Sequence, residues 1–217
     1  MSFNYWQNIE EGQTYHIYNK AISEIKLFRN GDDYLYFMSK YKEYFQHYFS
    51  TYAYCLIPNH FHLLIRMKTR EEIQEALKNE NTKSAVKYLN EEIPISVFIG
   101  NQFKRLFSSY SIKYNNKYFR EGSLFVNKIK KVKVSKDGSI QRLLCYIHHN
   151  PIHHGLTQEY GEWKFSSYRD FLHTEKTIIA REEMLEWLGG NDTFVELHNL
   201  FKNDSLNIKK LGLIFDK

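Results

Sequence analysis

A chain of 217 residues, 42% hydrophobic and 25% charged, can bury one sizeable core, which excludes the disordered and fibrous classes. No run of about 18 apolar residues occurs, and the opening MSFNYWQNIEEGQ lacks the basic-then-apolar layout of a leader, so the expectation is a soluble cytoplasmic protein without a membrane segment. Two cysteines, Cys55 and Cys145, are too few for a disulfide framework or a cysteine zinc site, and a net charge of +5 with a pI near 8.9 tilts toward an anionic partner.

In chain order, residues 14 to 22 (TYHIYNKAI) are rich in strand formers, and residues 32 to 48 read as a helix opened by Asp32 or Asp33. Two short apolar strands, 51 to 57 and 60 to 67, follow, parted by the turn pair Pro58 and Asn59. Thr69 with Glu72 three residues later predicts a capping box and a helix from about residue 70, broken by the polar NENTKS. After Pro94 the spacing of Val97, Phe103, Leu106, Phe107, Tyr110 and Tyr114 predicts a long helix ending at Asn115 and Asn116. Beyond Gly122, SLFVNKIKKVKV is strand-like. Ile140, Leu143, Leu144 and Ile147 then define one face of a helix from Ser135 or Ser139 to Asn150, ended by Pro151 and Gly155. Two short helices close the chain, at 181 to 188 and 193 to 202, the second with a capping box of Thr193 and Glu196. Strands parted by helices predict an α+β fold, one antiparallel sheet with helices on one face.

Within this frame three groups of residues can carry chemistry. In PNHFHLL, strand alternation sends His60 and His62 to the same face, where two imidazoles can share one cation or simply be hydrogen-bonded polar groups. On the helix ending at Asn150, the side opposite the apolar face shows Arg142, Tyr146, His149 and Asn150. An amide oxygen is an acceptable ligand for Mg²⁺ or Mn²⁺, and a phenol beside a bound phosphate is placed to attack it; a half-buried structural tyrosine is the plain alternative. His148, His149, His153 and His154 crowd the helix end, as alternative ligands or as solvent-facing groups, the second being the expectation for His148 and His153. The third group is basic: Lys128, Lys130, Lys131, Lys133 and Lys136 cluster, while Glu71, Glu72, Glu91 and Glu92 lie elsewhere. Cations interleaved with aromatic residues, here 17 Tyr and 16 Phe, suit single strands whose bases stack on rings, and a merely tyrosine-rich core and surface fits the composition equally well.

The ordered segments YHIYNKAI, AYCLIPNHFHLLIRM, FKRLFSSYSIKYNNKYFREGSLF, LLCYIHHNPIHHGL and WKFSSYRDFL together resemble the REP-associated tyrosine transposases, over about residues 14 to 172. The resemblance implies a ferredoxin-like HUH domain over residues 1–175, with a helical C-terminal tail over 176–217. It implies cleavage of single-stranded DNA beside hairpins of REP-like repeats, and strand transfer through a 5′-phosphotyrosine, by a monomer or homodimer. His60 and His62 match the HUH pair, Tyr146 the nucleophile, and Asn150 the third ligand of a divalent Mg or Mn ion, a place a nearby histidine could also fill. Arg105, Arg120, Arg142, Lys128, Lys130, Lys131 and Lys133 are the candidate DNA contacts, and Trp163, Phe165 and Tyr168 are candidates for core packing or base stacking, with the core the expectation. The rival readings are a non-catalytic hairpin-binding regulator derived from such an enzyme, and a phosphodiesterase that uses water.

Overall fold

The strand formers at the start build β1 (Thr14–Lys20), and the turn pair Pro58 and Asn59 joins β2 (Phe49–Ile57) to β3 (His60–Met67) as a tight hairpin. With the short β4 (Lys130–Lys133) they form a four-stranded antiparallel sheet of order β2-β3-β1-β4. The computed structural model describes residues 9–77, 83–126, 129–134 and 139–204. Between the strands lie α1 (Gly31–Phe45), α2 (Arg70–Ala76), α3 (Lys83–Leu89) and α4 (Ile95–Tyr118); after β4 come α5 (Ser139–His153), α6 (Tyr168–Leu172), α7 (Arg181–Leu188) and α8 (Asn191–Asn203). The run β1-α1-β2-β3-α4-β4 with that strand order is the ferredoxin-like arrangement.

Alternation along β3 sends Phe61, Leu63 and Ile65 to one face, where α1 and α4 bury them with Phe37 and Phe103. His60, His62 and Leu64 go to the other, where Leu64 joins a second core with Tyr146 and Ile147 of α5. Helices therefore cover both faces of the sheet rather than one. The reason is the C-terminal stretch: Phe194 and Phe201 of α8 pack into the second core and hold α5 down on the sheet. Full burial of each such aromatic stabilises by about 1.5–3 kcal/mol. Residues 165 to 167 complete the outer edge of β2, with Leu56 N donating to Phe165 O (2.9 Å) and Ser167 N to Tyr54 O (3.0 Å), which removes a template for aberrant strand pairing.

Local signals held in some places and shifted in others. Thr69 forms the expected capping box: Thr69 Oγ1 accepts from Glu72 N (3.3 Å) and Glu72 Oε2 from Thr69 N (2.7 Å). Asn30, not Asp32 or Asp33, caps α1, accepting from Asp33 N (3.3 Å). Thr193 and Glu196 form no box, because Gly190 takes the N-cap and the helix starts at Asn191. Pro151 sits inside α5, which continues to His153; Gly155, at φ +67°, turns the chain away in the left-handed region that suits glycine. No described helix is long and apolar enough to cross a membrane.

Candidate active site

The register of the sheet assembles a histidine-lined surface. Tyr18 of β1 pairs with His62 and Lys20 with His60, so His16, Tyr18, His60 and His62 share the face covered by α5. The His60 and His62 rings lie 4.9 Å apart and nearly perpendicular. His62 is buried and meets His16 with Nδ1 to Nε2 at 2.9 Å, and Tyr18 stacks on both rings. From above, α5 lowers Tyr146 and Asn150, one helical turn apart. The Tyr146 ring meets His62 edge-on at 5.8 Å, and Asn150 Oδ1 lies 2.9 Å from His60 Nε2. The structure thus brings His60, His62, Tyr146 and Asn150 into one place.

Tyr146 was expected on the side of α5 away from the core, but it is completely buried and faces the sheet. The apolar face chosen from periodicity is not the only buried one, because α8 covers the helix as well. His148 corrects in the same way: it is buried, hydrogen-bonded to His198 Nε2 (2.8 Å) and Ser167 Oγ (2.8 Å), not solvent-facing. His149 turns to the Tyr160 hydroxyl (3.0 Å) and away from the site. His153 is exposed as expected, and His154 stands 5.0 Å from the His60 ring, where it remains an alternative ligand.

Burial sets the charge state here. It pushes His16 down to about 3 and, together with the neighbouring His154, His60 down to about 4; burial, His60 and His16 hold His62 well below the ordinary imidazole range. All three are neutral at pH 7, the state in which imidazole ligates metal. A neutral His60 owns one N–H, yet it faces two amide oxygens, Asn59 Oδ1 at Nδ1 and Asn150 Oδ1 at Nε2, each at 2.9 Å. One of these contacts therefore sets a lone pair against an acceptor unless an amide turns over or a cation stands between them. Asn150 Nδ2 is itself buried with no hydrogen-bond partner among the described residues. Two ligands about 2.1 Å from one octahedral ion, at right angles, lie about 3.0 Å apart, so the His60 and Asn150 pair fits a shared divalent ion. Among the described residues no three His, Cys, Asp or Glu side chains could hold a metal by themselves. The Asn150 amide would complete the set.

The candidate DNA contacts do not form one surface. Alternation divides the lysines of β4: Lys130, exposed and paired with Tyr18, stands on the histidine face, whereas Lys131 lies over the Tyr15 ring (5.4 Å) and Lys133 pairs with Glu10 (2.9 Å) on the other. Lys128 lies outside the described residues. Arg142 is exposed one turn before Tyr146. Arg105 sits over the Tyr44 ring (4.9 Å) on α4, across the sheet from the site, and Arg120 braces the turn after α4 through Asn115 Oδ1 (3.1 Å) and Ser123 O (2.7 Å). Trp163, whose Nε1 donates to Leu56 O (2.7 Å), Phe165, stacked on Tyr34, and the buried Tyr168 are packed as expected. Sequence reasoning missed His16, Tyr18 and Asn59; period-two counting along TYHIYNK puts His16 and Tyr18 on one face of β1, and the β1–β3 register brings that face beside His62.

No protein-family model matches the chain. A Haemophilus influenzae protein named "Putative REP-associated tyrosine transposase" is 26% identical over 135 residues, 61% of this chain and 66% of that protein, so the match spans just under two thirds of the relative's length. A solved structure of a REP-associated tyrosine transposase bound to a REP hairpin has the same fold, with a TM-score of 0.53 over 79% of this chain and 87% of that one, at 12% identity. In sequence and in fold, the chain is similar to the REP-associated tyrosine transposases.

Proposed function

We propose that the protein cuts single-stranded DNA beside a hairpin and transfers the strand through a covalent tyrosine link. The observation that carries this reading is the convergence of His60, His62 and Asn150 on one spot beside Tyr146. The likeness to proteins named as tyrosine transposases, one of them solved with a REP hairpin, supports hairpin DNA as the substrate class. His60, His62 and Asn150 would hold Mg²⁺ or Mn²⁺, which when bound would polarise the scissile phosphate and offset charge in the transition state. Tyr146 Oη forms a bond to phosphorus while the bond from phosphorus to the 3′ oxygen breaks. The phenol gives up its proton and the leaving oxygen gains one, so the products are a 5′-phosphotyrosine and a 3′-OH. One ester replaces another, so a second 3′-OH can reverse the attack and join strands with no external energy source. Lys130, exposed and paired with Tyr18, and Arg142, exposed one turn before Tyr146, would hold the flanking phosphates.

One observation favours a rival. The complete burial of Tyr146 suits a hairpin-binding protein that does not cut, since attack requires the hydroxyl to be uncovered. Incubation of a labelled hairpin-bearing single strand with Mn²⁺ separates the two: the proposal expects cleavage, the rival binding alone. His60→Ala and His62→Ala should each lower the cleavage rate at least about a hundredfold, with circular dichroism unchanged. Cleavage that survives either change removes that side chain from the essential set.

Alternation along β4 yields a separate expectation. Lys130→Glu should reduce the slope of log affinity against log salt by about one phosphate contact, roughly 0.7–0.9. Lys131→Glu, on the other face, should leave the slope as it was. Equal effects from the two would show that the lysines act as an undivided field.

A further inference from the structure

His16 lies wholly inside the protein, on the strand beside the one that carries His60 and His62. Its contact with His62 is specific. The two rings are nearly parallel, 15° apart with centroids at 5.1 Å, and His16 Nε2 stands 2.9 Å from His62 Nδ1. A pair of ring nitrogens at that distance holds one proton between them. Either His16 donates, or His62 does. If His16 donates, the proton of a neutral His62 must sit on Nε2, and Nδ1 is already engaged, so His62 has no lone pair to offer. If His62 donates from Nδ1, its Nε2 becomes a lone pair.

We propose that His16 is a positioning residue that accepts a hydrogen bond from His62 Nδ1–H and so fixes His62 in the tautomer whose Nε2 can bind a metal. This rests on the metal reading of the site given above. The support is the build of the sheet around the pair. His16 belongs to β1, hydrogen-bonded on both sides by β3 and β4, so its backbone is held, and a site on rigid strands keeps its geometry better than one on loops. Tyr18, two residues on, stacks against both rings at 4.7 and 5.6 Å and resists their turning. Both imidazoles are sealed from solvent, and of the two ways of sharing the proton only donation from His62 Nδ1–H leaves Nε2 with the lone pair that the metal reading requires. Outer partners of ligating histidines commonly alter metal affinity 10–100-fold when removed.

The test uses the full chain labelled with ¹⁵N-histidine. Long-range proton–nitrogen NMR of the metal-free wild type should show His62 protonated on Nδ1 and bare on Nε2; a proton on Nε2 overturns the proposal. In parallel, Mn²⁺ titration followed by electron paramagnetic resonance, without DNA, should show His16→Phe binding about 10–100-fold more weakly. His16→Gln, whose side-chain oxygen can accept the same hydrogen bond, should recover most of that loss, with thermal melts verifying that each variant is folded. Equal Mn²⁺ affinity in wild type and both variants would end the positioning role and leave the metal reading standing. Wild type that binds no Mn²⁺ would instead end the metal reading, and the proposal with it. Should His16→Phe fail to fold, the wild-type tautomer and His16→Gln still decide.

Discussion

Acidification from pH 7 to pH 5 should destabilise the protein sharply, before its carboxylates titrate. Six histidines are held below their ordinary range by burial: His16 to about 3, His60, His149 and His198 to about 4, and His62 and His148 well below 6.5. In the unfolded chain each takes up a proton as pH falls through about 6.5, whereas the folded protein refuses it until much lower pH. A folded value below the unfolded one means that stability is complete above about pH 6.5 and drains away as pH falls toward the folded values. One such group costs about 1.4 kcal/mol per pH unit, so three of the six would remove about 4 kcal/mol between pH 6 and pH 5. Against a total stability of about 5–15 kcal/mol, that is a large share. Thermal melts in EDTA should show the midpoint at pH 5 at least about 10 °C below that at pH 7. A flat profile over that interval would mean that the buried histidines charge readily and that the interior around them is open to water.

Tyr146→Phe should leave fold and metal binding intact while abolishing cleavage, by at least about a thousandfold. The ring is fully buried against His62 and the second core, and phenylalanine fills the same volume, so packing changes by a single oxygen. That oxygen is the proposed nucleophile. One turn away on either side, Arg142 and Asn150 cannot form the same ester, and His60 and His62 are committed as ligands. A water-using phosphodiesterase would keep most of its activity in this variant, and retained cleavage would assign it to that class. Loss of folding instead, seen as a lowered melting temperature, would mark the hydroxyl as a structural group.

Much of the fold was legible because local signals and tertiary packing agree. Pro58 and Asn59 fix the β2–β3 turn, Thr69 and Glu72 close their box, and alternation in HFHLLIRM places His60 and His62 together. What stayed hidden is what depends on a second layer. A single amphipathic face was assigned to α5, yet Tyr146 and Asn150 are buried against His62 and His60 of β3, and His148 against α8 and the 160–171 segment, so the sheet and the C-terminal layer cover different sides of one helix. Side chains such as Tyr and His tolerate either environment, so periodicity alone could not assign theirs. The lysines of β4 misled in the opposite sense. They read as one charged run, and strand alternation divides them between two faces.

Whether Tyr146 forms the covalent bond to DNA can be tested on the wild-type protein. A single strand carrying a hairpin, labelled at its 3′ end, is incubated with the protein and Mn²⁺, resolved under denaturing conditions, and the shifted band is digested for mass spectrometry. The proposal predicts that the fragment 3′ of the break travels with the protein and that its 5′ phosphate is found on Tyr146. Cleavage without a covalent band, or a nucleotide adduct on any other residue, would contradict it.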